Sequence, residues 1–205
     1  MKITLASLSP RRRELLSYLG IDFDILNSQV NEDKIRDDNP HSLTQKLATA
    51  KAEAAKNKVT DGLIIGSDTV VYFQGKILEK AKDKNHQRKL IKTQRGKKME
   101  VITSVCILDV QTNERVVKTK VTSCIISNVN DEVIESYIEK GTGLDKAGGI
   151  GYEDENGLFI KLIDGCFSNV MGFPLCNVAE ILKGKGIDIN ENYQELIQEK
   201  TGHKC

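Results

Sequence analysis

The chain has 205 residues, enough for one domain whose hydrophobic core needs no disulfide or structural metal. Its 30 Lys and Arg against 29 Asp and Glu give a formal net charge of +1, which excludes long-range attraction to nucleic acid or to an anionic membrane. No apolar run is long enough to span a bilayer, so any anion site must be a local cluster of side chains on a water-soluble fold.

Lys2 to Ala6 predicts a short strand. The apolar stretch from Met1 ends at Ser9-Pro10-Arg11-Arg12-Arg13, so it is not expected to act as a signal peptide. Ser9 offers a helix N-cap and Pro10 suits the first helical position, with Glu14, Leu15, Leu16 and Leu19 continuing to a stop at Gly20. Ile21 to Leu26 reads as a second strand, and Asn27 to Pro40 as a polar stretch. Ser42 and Gln45 have capping-box spacing for a helix to about Lys58, with Leu43, Leu47, Ala50 and Ala54 on its buried face. Gly62 to Gly66 is the apolar run of a strand covered on both faces; it stops at Ser67-Asp68-Thr69 and resumes as Val70 to Phe73.

Gln74-Gly75 is a turn before Ile77-Leu78, and Asp83 caps a helix over His86 to Thr93. Two long strands follow, Val101 to Val110 and Arg115 to Ile126, joined across Thr112-Asn113. Asn130 caps a helix from Asp131 to Lys140 that Gly141 closes. A glycine-rich stretch, Gly141 to Gly157, leads to a strand from Leu158 to Ile163. Helices are expected over Gly172 to Leu182 and Asn190 to Thr201. Mixed strands and helices without an internal repeat make the class α/β or α+β.

Four places concentrate chemistry. Ser7-Leu8-Ser9-Pro10-Arg11-Arg12 lies where a strand becomes a helix, so free N–H groups, hydroxyls and guanidiniums meet as in a phosphate cradle. The same residues also describe a capped surface helix with solvated arginines. Asp68 interrupts an apolar run, where a carboxylate is either satisfied by neighbours at a strand end or serves as ligand or base. Glu32, Lys51 and Lys80 are single charges, of which Lys51 stands out because alanines crowd it. Leu144-Asp145-Lys146-Ala147-Gly148-Gly149-Ile150-Gly151-Tyr152-Glu153 reads as a loop that closes over a ligand, or as a structureless connection.

Other chemistries are excluded. No strand–GxGxxG–helix or GxxxxGK[ST] element is present, which removes dinucleotide and Walker-type phosphate sites. Five scattered cysteines without a CxxC pair support neither a zinc site nor a disulfide framework, and buried thiols in a reducing cytoplasm are expected. The three histidines, His41, His86 and His203, fall in polar stretches expected to be exposed. Aromatics are 5% of the chain and Trp is absent, so the stacking platform of a nucleic-acid binder is missing.

With these motifs in order, the chain resembles the Maf nucleotide pyrophosphatases. Leu5 to Arg12 with Glu14-Leu15-Leu16 is similar to the family's N-terminal signature, and Ile65 to Val71 to its central acidic motif. Asp145-Lys146-Ala147-Gly148 and Asn169 to Leu175 complete the set, so the resemblance runs from Leu5 to about Leu182. It implies a single domain over residues 1–205. The implied fold is an elongated α/β structure related to inosine triphosphate pyrophosphatases, with a central mixed sheet, flanking helices and a cleft between two lobes. The implied reaction is water attack on the α-phosphorus of a nucleoside triphosphate, assisted by Mg²⁺ or Mn²⁺.

By the same resemblance Asp68 is the general base and shares the metal with Glu32, and Lys80 joins Asp68 in catalysis. Arg11, Arg12, Lys51 and Lys80 embrace the phosphates, Ser7 and Ser9 donate hydrogen bonds, and Asp145 and Lys146 belong to the substrate site. Arg12, Thr69 and Glu153 align with base-selecting positions. A homodimer and a cytoplasmic setting are implied, with no membrane or stable nucleic-acid partner.

Two departures stand out. Ala81 follows Lys80 where the family has proline, which implies a less rigid loop. Glu153 stands where pyrimidine-type members carry glutamine, whereas Asp145-Lys146 and Thr69 point to dTTP and UTP or modified pyrimidine nucleotides. A branch acting on 7-methyl-GTP, a broad house-cleaning pyrophosphatase and a non-catalytic septum-formation regulator are the alternatives.

Overall fold

The computed structural model describes residues 1–151 and 154–203. The chain forms two compact units, one of Met1–Thr69, Ile102–Lys120 and Cys166–Cys205 and one of Val70–Val101 and Val121–Gly165. In the first, β1 (Ile3–Leu5) pairs in parallel with β2 (Asp24–Ile25) and with β3 (Leu63–Phe73). The second strand is thus only two residues long and exposed, because Ile21 to Phe23 do not join the ladder. β3 is one continuous strand of 11 residues through Ser67-Asp68-Thr69, where the sequence suggests a break. Among the described residues a seven-stranded mixed sheet runs β2-β1-β3-β5-β6-β7, with β4 antiparallel on β3. Here β4 is Lys76–Leu78, β5 Lys98–Asp109, β6 Arg115–Ile126 and β7 Ile160–Asp164.

Helix α1 (Pro10–Ser17) begins after Ser9 as expected, but the Ser9 side chain makes no capping bond; its backbone N–H donates to Ser7 Oγ at 3.2 Å. Helix α2 (Pro40–Lys56) starts earlier than the Ser42/Gln45 spacing suggests. Asn39 caps it, its Oδ1 accepting from the N–H groups of His41 (2.9 Å) and Ser42 (3.1 Å), and Pro40 takes the first position. Ser42 Oγ donates instead to Asp37 Oδ2 at 2.5 Å. The buried face is rotated as well: Ala48, Lys51, Ala52 and Ala55 are buried, while Ala50 and Ala54 are half-buried. Ala48, Ala52 and Ala55 pack with Ala6, Ile64, Cys106 and Leu108 as the core of this unit.

A short helix α5 (Phe167–Val170) precedes α6 (Leu175–Gly184), and α7 (Tyr193–Thr201) ends the unit. Half-buried His203 stacks on Phe167 with ring centroids 5.0 Å apart, rather than standing in solvent.

In the second unit α3 (Lys84–Gln94) is capped by Asp83, whose Oδ1 accepts from the His86 N–H at 2.7 Å. It packs on α4 (Asp131–Glu139), which Asn130 caps. Arg88 clasps Glu135 across the pair with two bonds of 2.6 and 2.5 Å. Tyr137 of α4 is buried against Phe159, ring centroids 4.6 Å apart. No helix among the described residues is long and apolar enough to cross a membrane.

Candidate active site

The first unit brings Arg12, Glu32, Lys51, Asp68 and Thr69 together. Gly66 is the reason two of them meet. A Cβ there would run into the Ala48 carbonyl oxygen and stand 2.8 Å from the Ala52 nitrogen, so its absence lets the backbone of α2 lie on β3. Lys51, on the same face of α2, then reaches Asp68 on β3: Nζ is 2.6 Å from Asp68 Oδ1 and 2.9 Å from Glu32 Oε1. Asp68 is 5% exposed and Lys51 9%. Burial raises the Asp68 pKa above the ordinary carboxylate value; the charge and hydrogen bond of Lys51 and the charge of Arg12 pull it down, and Glu32 pushes it up. A buried carboxylate held above its usual range, with cations beside it, suits a proton acceptor that must also sit near phosphate.

Arg12 is held by the backbone. Its Nη1 donates to Ser67 O at 2.7 Å, its Nε to Gly172 O at 3.0 Å, and its Nη2 to Thr69 Oγ1 at 3.4 Å. Three of the five guanidinium donors are thus used, leaving two N–H groups for an anion or a base edge. Burial lowers its pKa, opposed by Asp68 and Glu32. Thr69 Oγ1 also lies 3.0 Å from Thr103 Oγ1 and 3.3 Å from Gly172 O, so Arg12 and Thr69, two of the three residues that align with base selection, share one network.

Ser7 and Ser9 line an open cavity of about 660 Å³ with Leu8, Pro10, Arg13 and Phe23. Asp68, Lys51 and Glu32 are not among its walls, and Arg13 rather than Arg11 or Arg12 lines it. Arg11 is half-buried.

Lys80, Asp145 and Lys146 belong to the second unit. Lys80 is exposed and forms a β-bridge with Ala147, and the Gly148 N–H donates to Glu79 O at 3.1 Å. This bridge ties down a loop that lacks the family's proline. The glycine-rich segment is likewise pinned. Buried Gln87 donates from Nε2 to Thr142 O (2.6 Å) and Gly149 O (2.9 Å), and buried Gln94 to Gly148 O (2.7 Å). Gly148 and Gly149 have φ of +75° and +79°, conformations that favour glycine, and a Cβ at each would crowd Gln94 Oε1 (2.9 Å) and Gln87 Cγ (3.1 Å). Gln87 and Gln94 escape a motif search; the available signal is two glutamines at i and i+7 flanking Ile91 on the face of α3 that turns inward. Gly172 lies inside the Asn169 to Leu175 motif, but its role as an acceptor for Arg12 does not show there. Glu153 lies outside the described residues.

A sequence profile described as Maf-like protein matches residues 2–185. The chain belongs to the Maf family. Its Maf relatives include proteins named dTTP/UTP pyrophosphatase. The one from Alkaliphilus metalliredigens (strain QYMF) is 38% identical over 182 residues, which cover 88% of this chain and 94% of the relative. The one from Carboxydothermus hydrogenoformans is 37% identical over 186 residues, covering 91% and 100%. In three dimensions the chain is similar to the Ham1 protein of Staphylococcus aureus, with a TM-score of 0.50 and 16% identity, covering 90% of this chain and all of that one; the likeness is one of fold. The α/β Maf fold with a mixed sheet, expected from the motifs, is the fold the chain adopts.

Proposed function

We propose that this Maf protein hydrolyses nucleoside triphosphates to monophosphate and pyrophosphate, with dTTP and UTP or closely related pyrimidine nucleotides as substrates. The observation that carries this reading is the Asp68 carboxylate, buried on β3, raised in pKa and clasped by Lys51 beside Glu32 and Arg12. The names of the curated relatives support the substrate class.

In this reading Asp68 takes a proton from water as the water oxygen bonds to the α-phosphorus and the bond from that phosphorus to the bridging oxygen breaks. Lys51, Arg11 and the free N–H groups of Arg12 hold phosphate oxygens, and Ser7 and Ser9 donate hydrogen bonds; the substrate roles of Lys80, Asp145 and Lys146 are carried over from the family. Glu32 and Asp68 converge on one cation, Lys51 Nζ, and fit a divalent ion of the Mg²⁺ or Mn²⁺ type, which binds through one or two carboxylates and completes its shell with phosphates. When bound, such an ion supplies charge neutralisation at the phosphates. The described cysteines are free thiols, three of them buried, which accords with a cytoplasmic setting. A homodimer is carried over from the family alone.

The test is pyrophosphate release by purified protein with Mg²⁺ or Mn²⁺ across canonical, methylated and deaminated triphosphates. Selective release from dTTP and UTP is the expected result. Silence across the panel from folded protein would return the chain to the non-catalytic reading. Glu153→Gln is expected to shift the ratio of kcat/KM values toward dTTP and UTP, because glutamine both donates and accepts at a base edge whereas ionised glutamate only accepts. Ratios unchanged from wild type would remove Glu153 from base selection.

A further inference from the structure

We propose that Asp154, which no motif marks, is a positioning residue that sets the Lys146 ammonium for nucleotide binding; the proposal rests on the pyrophosphatase reading above. A lysine is a flexible stem ending in a hydrated point charge, and an unrestrained one presents no fixed geometry to a ligand. Lys146 is restrained at every level. Its stem lies over Gly151, where a Cβ would stand only 2.5 Å from Cδ and Cε. Its Nζ sits 3.1 Å from Asp145 Oδ1 and 3.5 Å from Asp154 Oδ1.

The two carboxylates are not equivalent. The Asp145 side chain is 70% exposed and that of Asp154 is 7% exposed, so water screens the first pair and hardly the second. Asp154 is itself oriented: its Oδ2 accepts from the buried Tyr137 hydroxyl and, at 3.0 Å, from the Gly151 N–H, which leaves Oδ1 for the ammonium. Beneath it the backbone is fixed by the Gln87 and Gln94 bonds to residues 142, 148 and 149. The charge is therefore placed before any nucleotide arrives, and a preorganised contact binds more tightly than one that must be ordered on binding.

The two oxygens of Asp154 separate structure from function. The neutral donors on Oδ2 can be satisfied by a neutral acceptor, whereas the ion pair with Lys146 at Oδ1 needs the carboxylate's negative charge. Asp154→Asn keeps the first role and removes the second. In steady-state hydrolysis of dTTP it is expected to raise KM roughly tenfold while kcat stays within about twofold. In a Lys146→Met background the same substitution is expected to add less than about twofold, because its partner is gone. Tyr137→Phe, which leaves the carboxylate in place, serves as a second variant and is expected to raise KM less.

An undiminished Asp154→Asn penalty in the Lys146→Met background, or KM unchanged in both Asp154→Asn and Tyr137→Phe, overturns the proposal. Acylation of Lys146 followed by mass spectrometry gives a readout apart from turnover. The lysine is expected to label faster in Asp154→Asn, and α,β-imido-dUTP is expected to protect it in the wild type. Wild-type protein that turns over no nucleotide fails the underlying reading; absence of protection by the imido analogue, in protein that does turn over, fails this one.

Discussion

Asp68→Asn is expected to lower kcat by about 10²–10⁴-fold, the usual contribution of a general base, with an unchanged far-ultraviolet circular dichroism spectrum. The asparagine is isosteric and its oxygen can still accept from Lys51, which also keeps Glu32 at 2.9 Å. What disappears is the acceptor for the proton of the attacking water, together with the negative charge that Asp68 shares with Glu32 toward a divalent ion. The wild-type pH profile gives an independent reading of the same group. Burial raises the Asp68 pKa, more than Lys51 and Arg12 lower it, and Glu32 adds to the rise. A base works only when ionised, so kcat/KM falls as pH drops through that raised value, and the acid limb lies above the ordinary carboxylate range of about 4. Hydrolysis by the Asp68→Asn variant at the wild-type rate would take Asp68 out of the chemistry.

Gly66→Val is expected to destabilise the fold by about 1–3 kcal/mol, as overpacking typically does, and to reduce hydrolysis beyond what the unfolded fraction explains. The added side chain points at the backbone of α2, with the Ala48 carbonyl and the Ala52 nitrogen in its way and the Ala52 Cβ 3.1 Å from the new Cβ. None of these is the movable end of a long side chain, so the helix must shift. Ala48, Ala52 and Ala55 would then lose contact with Ile64, Cys106 and Leu108. Lys51 rides on the same face and would leave Asp68 and Glu32 with it. Urea titration followed by circular dichroism measures the first effect, and pyrophosphate release from the folded fraction the second. An unaltered midpoint would show that α2 does not depend on the bare backbone at 66.

Features written in local patterns are legible in the sequence. The caps at Asp83 and Asn130, the turn at Gln74-Gly75 and the long strands β5 and β6 each follow from residues within a few positions of one another. The start of α2 is misplaced by local spacing because two caps compete: Ser42/Gln45 has the capping-box spacing, but Asn39 followed by Pro40 offers both a side-chain acceptor and a preset φ, and it wins. The apparent break at Ser67-Asp68-Thr69 dissolves because Lys51, 17 residues earlier, compensates the buried carboxylate, so the strand can run on.

The candidate site divides along the same line. Arg12 and Asp68 are visible as motif residues and Lys51 as a single charge among alanines, yet the main-chain bonds that hold Arg12 have no sequence signature. Asp154 is invisible in the sequence because its partners are Tyr137, which reads as a core aromatic, and Lys146, which reads as part of a loop. That loop looks free to close because of its glycines; instead they admit Gln87 and Gln94, polar residues standing where α3 would ordinarily place aliphatic ones.

The anchoring of Arg12 bears on how this site withstands mutation. Two of its three bonds end on main-chain carbonyls, at Ser67 and Gly172. Every amino acid carries such an oxygen, so replacing the Ser67 side chain cannot delete the acceptor beside it. Position 172 is the exception, because its φ of +88° favours glycine and a new Cβ would press on Thr69 Oγ1 at 3.2 Å. In a saturation library, loss of the guanidinium's seat should therefore map to Arg12 and Gly172 foremost, whereas intolerance at buried residue 67 would report its packing and its own bond to Gly172 O rather than a lost acceptor. Alignment-based searches that score side chains alone would pass over the acceptor that matters.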